Sequence, residues 1–212
     1  MSVNSESRLR ILLAAERLFA ERGIDGVSLR EIGSASGHRN NSAVQYHFGT
    51  KDSLLASLYE LRMAPLNERR KAVLRKIRKD GRQGDLRALV EAYVLPLAES
   101  VSEAEESSWY ARFANRYVLS RKSFPESFRD GFASGVYALH RMIAACLEEL
   151  SVPVRQERIR QLQLLVVGVL ADLERRRDEE QLSPEDAQRT VAELVETAVA
   201  LLAAPASAGT QR

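Results

Sequence analysis

The stretch GHRNNSAVQYHFGTKDSLL, Gly37 to Leu55, decides how the rest of the chain is read. Two asparagines, a serine, a glutamine, a tyrosine and a histidine crowd between Gly37 and Gly49, and Lys51 then opens a long apolar-periodic segment. The question is what a helical protein does with so many compact hydrogen-bonding side chains in one place.

Upstream, SRLRILLAAERLFAERG places Ile11, Ala15 and Leu18, and the row Leu12, Ala15 and Phe19, on one helical face, and Gly23 supplies a left-handed stop. Ser28 and Glu31 form a capping box that opens a short helix ended by Gly37. Asn40 or Asn41 can cap a third helix closing at Gly49. Thr50 caps a fourth, with Asp52 in the first turn where the helix dipole favours an anion. Further helical patterns run over 51–79, 85–102, 105–121, 125–150, 153–177 and 184–204, and Pro65 and Pro96 are expected to kink or break two of them. SPED at Ser183 to Asp186 is a helix start of cap, proline and two acids. Alternating strand patterns, hairpin dipeptides and internal repeats are absent from the sequence, so the expected fold class is all-α.

A helix of about three turns, a tight turn and two short helices is the layout of a helix-turn-helix, whose second short helix enters the DNA major groove. Asn41, Ser42 and Gln45 offer amides and a hydroxyl, and Asn and Gln pair bidentately with adenine. Ala43 is small enough for close approach or for contact with a thymine methyl. Val44 and Phe48, four residues apart, face inward. Tyr46, His47 and Lys51 can reach phosphates, as can the N–H groups that open the fourth helix. A plain surface connector can have the same polar composition, so composition alone leaves both readings open.

The residues from Ile11 to Leu55 resemble the TetR family of bacterial transcriptional regulators. The resemblance rests on RILLAAERLFAERG, then GVSLREIGSASG, then VQYHFGTKDSLL, in that order, and covers about the first quarter of the chain. It implies a helix-turn-helix domain over 1–50, a larger ligand-binding and dimerisation domain over 51–206, and a tail over 207–212. By position, the family's base-contacting places fall on Arg30, Asn41, Ser42, Ala43 and Gln45, and its backbone-contacting places on Tyr46, His47 and Lys51. Arg30 reads equally as a solvated helix residue, and Tyr46 equally as packing into the three-helix core. The turn GHRNN is longer than the usual family turn, and Gln45 stands where the family often has tyrosine. Both bear on sequence preference rather than on DNA binding.

Most of the aromatic side chains lie in the middle of the chain: Trp109, Tyr110, Phe113, Tyr117, Phe124, Phe128, Phe132 and Tyr137, with Arg112, Arg116 and His140 interspersed. Core packing is the commoner reason for rings at helical spacing, but rings with a few polar groups also make a small-molecule site. The resemblance implies such a site here, lined by Trp109, Arg112, Phe113, Arg116, Tyr117, Phe128, Phe132, Tyr137 and His140. Cys146 and Met142 read as packing residues. The last two helices carry apolar faces wider than one partner covers: Ile159, Leu162, Leu165, Val166, Val169, Leu170 and Leu173, then Val191, Leu194, Val195, Ala198, Leu201 and Leu202. A homodimer packed through them would cover that surface and set two recognition helices on successive major grooves, about 34–36 Å apart.

The bulk properties fit. The chain has 212 residues and a formal net charge of +2, so any contact with double-stranded operator DNA must be local rather than a global basic field. The basic run from Arg69 to Arg82 reads as a solvated helix face. A single cysteine suits a reducing interior, and MSVNSESRLR leads straight into an amphipathic segment without signal-peptide layout. The longest apolar run, near Leu164 to Leu170, is too short to span a bilayer, so a cytoplasmic protein without membrane attachment is expected. Three histidines and one cysteine show no metal-ligand spacing, and catalytic and phosphate-loop motifs are missing, so the expectation is no metal, no cofactor and no enzyme. The rivals are a helical scaffold protein, which leaves the polar cluster unexplained, and an enzyme.

Overall fold

The computed structural model describes residues 3–38, 42–102, 108–120, 131 and 133–206. Among them the chain is helical from end to end: α1 (Val3–Arg22), α2 (Leu29–Ala35), α3 (Ser42–Phe48), α4 (Lys51–Lys79), α5 (Leu86–Ser102), α6 (Tyr110–Leu119), α7 (Ser134–Ala145), α8 (Val152–Asp178) and α9 (Pro184–Ala203). The expected all-α class is what is found. The sixth and seventh helices are shorter than their patterns, and the expected Pro125 start lies outside the described residues.

The stops follow local chemistry. Gly23, Gly37 and Gly49 all take positive φ, the left-handed region that ends a helix without a Cβ penalty. Thr50 accepts from the Ser53 N–H at 3.1 Å and Ser183 from that of Asp186 at 3.1 Å, so both predicted caps form. At the other end of α9, buried Arg158 donates to the carbonyls of Leu202 and Pro205 at 2.7 and 3.0 Å, satisfying groups a helix end would leave orphaned. Neither proline ends its helix. Pro65 lies within α4 and Pro96 within α5, because the buried rows on either side keep each segment seated: Leu58, Leu66 and Leu74 in α4, and Tyr93, Leu97 and Val101 in α5. The lost hydrogen bond at each proline is offset by that burial.

α1 belongs to two neighbourhoods. It packs on α2 and α4, and also on α6, which in turn lies along α8. The row Ile11, Leu12, Ala15 and Phe19 is buried as its spacing predicts. Phe19 stacks on Phe113 at 6.0 Å between centroids, Phe113 meets Tyr59 at 5.1 Å, and Tyr59 meets Tyr117 edge-on at 4.5 Å. Beside them Glu16, whose side chain is 2% exposed, takes a two-pronged bond from Arg62: Nε to Oε1 at 2.8 Å and Nη2 to Oε2 at 2.6 Å. Burial pushes the Glu16 carboxyl up from its ordinary value, and Arg62 works against that shift. Removing the cation leaves a buried carboxylate alone. Arg62→Met should therefore cost about 3 kcal/mol, and adding Glu16→Gln should recover part of it. Urea denaturation of the wild type, both single variants and the double variant measures this; additive costs would show that the two charges do not act as a pair.

Candidate nucleic-acid interface

Two helices of seven residues are too short to be stable alone, so their neighbours must set their positions. The start of α2 is fixed by a network around Glu31. Its Oε2 accepts from the Ser28 N–H and hydroxyl at 2.8 and 2.7 Å, and Ser28 Oγ accepts in return from the Glu31 N–H at 3.3 Å. Arg22, the last residue of α1, donates to Glu31 Oε1 at 2.6 Å and to the Gly26 carbonyl at 2.9 Å. The capping box is thus also a clamp between α1 and α2.

The start of α1 and the end of α2 are joined by a residue the sequence reading passed over. His38 bonds the Ser7 hydroxyl through Nε2 and the Ser36 hydroxyl through Nδ1, each at 2.9 Å, joining the start of α1 to the end of α2. The guanidinium carbon of Arg8, one residue along α1, sits 5.3 Å from the Phe48 ring centroid. Short hydroxyl side chains within reach of a loop histidine were the available signal, but pairing across 31 positions has no local signature.

α3 itself turns as expected. Val44 and Phe48 are buried, Ser42 and Gln45 are exposed, and Ala43 and His47 are half-buried. Tyr46 is 78% exposed, which decides against packing in the three-helix core. Its ring meets His47 edge-on at 5.3 Å, and burial is the main cause of the lowered His47 pKa. Ser42, Gln45 and Tyr46 therefore share an outward row of i, i+3, i+4 spacing. Asn41 lies outside the described residues. Arg30 stands exposed on α2. Lys51 is more constrained than a solvated helix start: its Nζ donates to the Val27 carbonyl at 2.5 Å and lies 5.7 Å from the Phe19 ring centroid.

The residues expected around a ligand do not form one group. Phe113 and Tyr117 are buried against Phe19 and Tyr59, in the seam between α1, α4 and α6. Arg112 stacks on Trp109 at 3.8 Å and is paired with Glu174 at 3.0 Å and with Asp178. Its charge is spent inside the fold, because fully buried Glu174 requires a countercharge. Exposed Arg116 reaches the Ala20 carbonyl at 3.4 Å. Tyr137 and His140 stand elsewhere, with Tyr93: the His140 ring lies 5.4 Å from Tyr93 and 6.1 Å from Tyr137. Phe124, Phe128 and Phe132 lie outside the described residues.

Comparison with known proteins agrees with the geometry. Residues 11–58 match the family model of bacterial regulatory proteins of the tetR family. Over 54 residues the chain is 39% identical to the HTH-type transcriptional repressor AcnR of Corynebacterium glutamicum; the match covers 26% of this chain and 28% of that protein. The fold resembles that of HlyIIR, a hemolysin II transcriptional regulator (TM-score 0.54, 17% identity, 91% of this chain and 98% of that one). It also resembles a Shewanella sp. PV-4 protein assigned to the tetR family of transcription regulators (TM-score 0.54, 21% identity, 92% and 95%). Among the described residues, no helix is long and apolar enough to cross a membrane.

The clamp at Glu31 makes this end of the molecule acid-sensitive. Hydrogen bonds from Ser28, then from Arg22, lower its carboxyl from 4.5 to about 2. The folded-state value lies below the unfolded one, so the stabilisation is complete above pH 4.5 and fades as the pH falls towards 2. Glu31→Gln should flatten this part of the stability profile, measured by thermal denaturation across that range; an unchanged profile would assign the acid limb to other carboxylates. The clamp and the outward row of α3 both lie within residues 11–58, the segment that matches the tetR family of bacterial regulatory proteins.

Proposed function

We propose that the protein is a transcriptional repressor that binds operator DNA as a homodimer and is released by a small effector. The observation that carries the reading is the outward row Ser42, Gln45 and Tyr46, seated on buried Val44 and Phe48. An exposed row of compact polar groups suits the major groove, and Asn41, Ala43 and Arg30 join it in base contact. Tyr46, His47 and Lys51 serve the phosphate backbone.

Residues 1–50 act as the DNA-binding head and 51–206 as the effector and dimer body. On α8 and α9, Leu165, Val169, Val191 and Val199 are only half-buried in the single chain, which is the apolar surface a second copy would cover. Val195 is not part of it; it is buried within the protomer. An effector that binds better to a head spacing unsuited to the grooves must weaken DNA binding by its difference in affinity for the two states. The Phe19–Phe113 stack gives such a change a route from α6 to the head.

A gel shift with promoter DNA flanking the protein's own gene tests the reading, since a scaffold protein or an enzyme would leave that DNA unretarded. Gln45→Ala should cost about 1–3 kcal/mol on the cognate site and relax preference at one base position per half-site. Equal binding of cognate and scrambled duplexes by wild type and variant would remove α3 as the reader. Leu165→Asp should shift the sedimenting species from dimer to monomer and abolish operator binding together; a wild type that is monomeric at micromolar concentration would remove the dimer.

A further inference from the structure

The basic run on α4 hides one residue that does not behave as a solvated charge. Leu66, Arg70 and Leu74 recur every four positions, so Arg70 falls on the buried stripe and is 3% exposed. Its Nη2 donates to the Tyr93 carbonyl at 3.2 Å, and its guanidinium carbon lies 5.5 Å from the Tyr93 ring centroid. Among the described residues, Nε and Nη1 meet no acceptor, though between them they hold most of the guanidinium's donors. Half-buried Arg62 is matched by Glu16, half-buried Arg112 by Glu174 and Asp178, and buried Arg158 by two carbonyls.

The surroundings of Arg70 are aromatic and neutral. The titratable groups acting on it are Tyr93 and Tyr110, whose phenols are pushed up by burial, Tyr93 to about 12. Next to Tyr93, His140 is held at about 4 by burial and by Arg70 itself, so its ring is uncharged, and Nε2 also has no partner among the described residues. Tyr137 closes on His140 from the same helix. Gly135 lets α7 approach α4 at this point: a Cβ there would lie 2.7 Å from Asn67 Oδ1 and 3.3 Å from Arg70 Cβ, and its N–H donates to that same Oδ1 at 2.5 Å. An arginine cannot shed its charge at ordinary pH, and a buried charge without a counterion is strongly disfavoured.

We propose that Arg70 is the anchor of an anionic effector site between α4, α5 and α7, and that its ligand is an aryl carboxylate seated against Tyr93, Tyr137 and His140. One guanidinium matches one carboxylate, whereas a phosphate dianion would leave charge unbalanced beside a neutral histidine. The rings supply flat apolar walls, and His140 Nε2 can bond a ring substituent. This inference rests on the ligand-released regulator described above and names its ligand class.

Isothermal titration and thermal shift at fixed ionic strength test it, with benzoate, 4-hydroxybenzoate and 2-naphthoate each set against its primary amide. At least one acid should raise the wild-type melting temperature and bind about tenfold or more tightly than its amide. The gain should vanish in Arg70→Met. Should that variant not fold, the acid-against-amide comparison on the wild type decides alone. Acids that bind no better than amides, no binding by any of the three acids, or a gain that survives in Arg70→Met would each overturn the assignment. The regulator reading fails separately. Absent retardation of promoter DNA removes that reading while the titrations still report on Arg70. Retardation relieved by a neutral or cationic compound, alike in wild type and Arg70→Met, keeps the regulator and removes the carboxylate.

Discussion

Phe19 sits where the two neighbourhoods of the molecule meet, and the arrangement of both ends depends on it. On one side the Lys51 ammonium lies over its ring while bonding the loop that precedes α2; on the other the ring stacks on Phe113 of α6. A cation and a second aromatic ring thus share one buried side chain. The short helices have little stability of their own, so their placement is inherited from α1. α1 in turn is fixed to the body by Phe19, by the Glu16–Arg62 pair and by packing on α6. Phe19 therefore ties α6 to the first three helices through one buried ring contact.

Charge burial divides the body in a second way. Arg112, Glu174 and Asp178 form a closed group between α6 and α8, with the Ala111 and Arg112 N–H groups also donating to Glu174 at 3.2 and 3.0 Å. Arg70, on α4, is held by a single carbonyl and a ring face. Arg112 is half-buried and Arg70 buried, and carboxylate partners are given to the first alone of these two.

The elements were legible wherever the deciding signal was local. Ser28 with Glu31, Thr50, SPED and the glycines at 23, 37 and 49 each act within a turn, and each does what its chemistry requires. The face of α3 was legible for the same reason, since Val44 and Phe48 fix it by spacing alone. What failed to show was the identity of distant partners. Phe113 and Tyr117 face inward by periodicity, but nothing in their spacing says that they meet Phe19 and Tyr59 rather than Tyr137 and His140. Arg112 carries no mark of Glu174, 62 positions away. Arg70 was legible in principle from the Leu66–Leu74 row, yet the surrounding lysines and arginines made the whole run read as solvated. Pro65 and Pro96 show the converse: neither breaks its helix, with buried rows on both sides.

Arg158 has a practical meaning for work with this protein. Its two acceptors belong to Leu202 and Pro205, so the last turn of α9 and the two residues that follow it close over a buried cation on α8. A shortened chain that stops before Leu202 would strip that guanidinium of both carbonyls and open the end of the α8–α9 pair. A chain ending after Ala206 keeps them, which makes that position, rather than the visible end of the apolar pattern, the natural point for attaching a label or a surface tether.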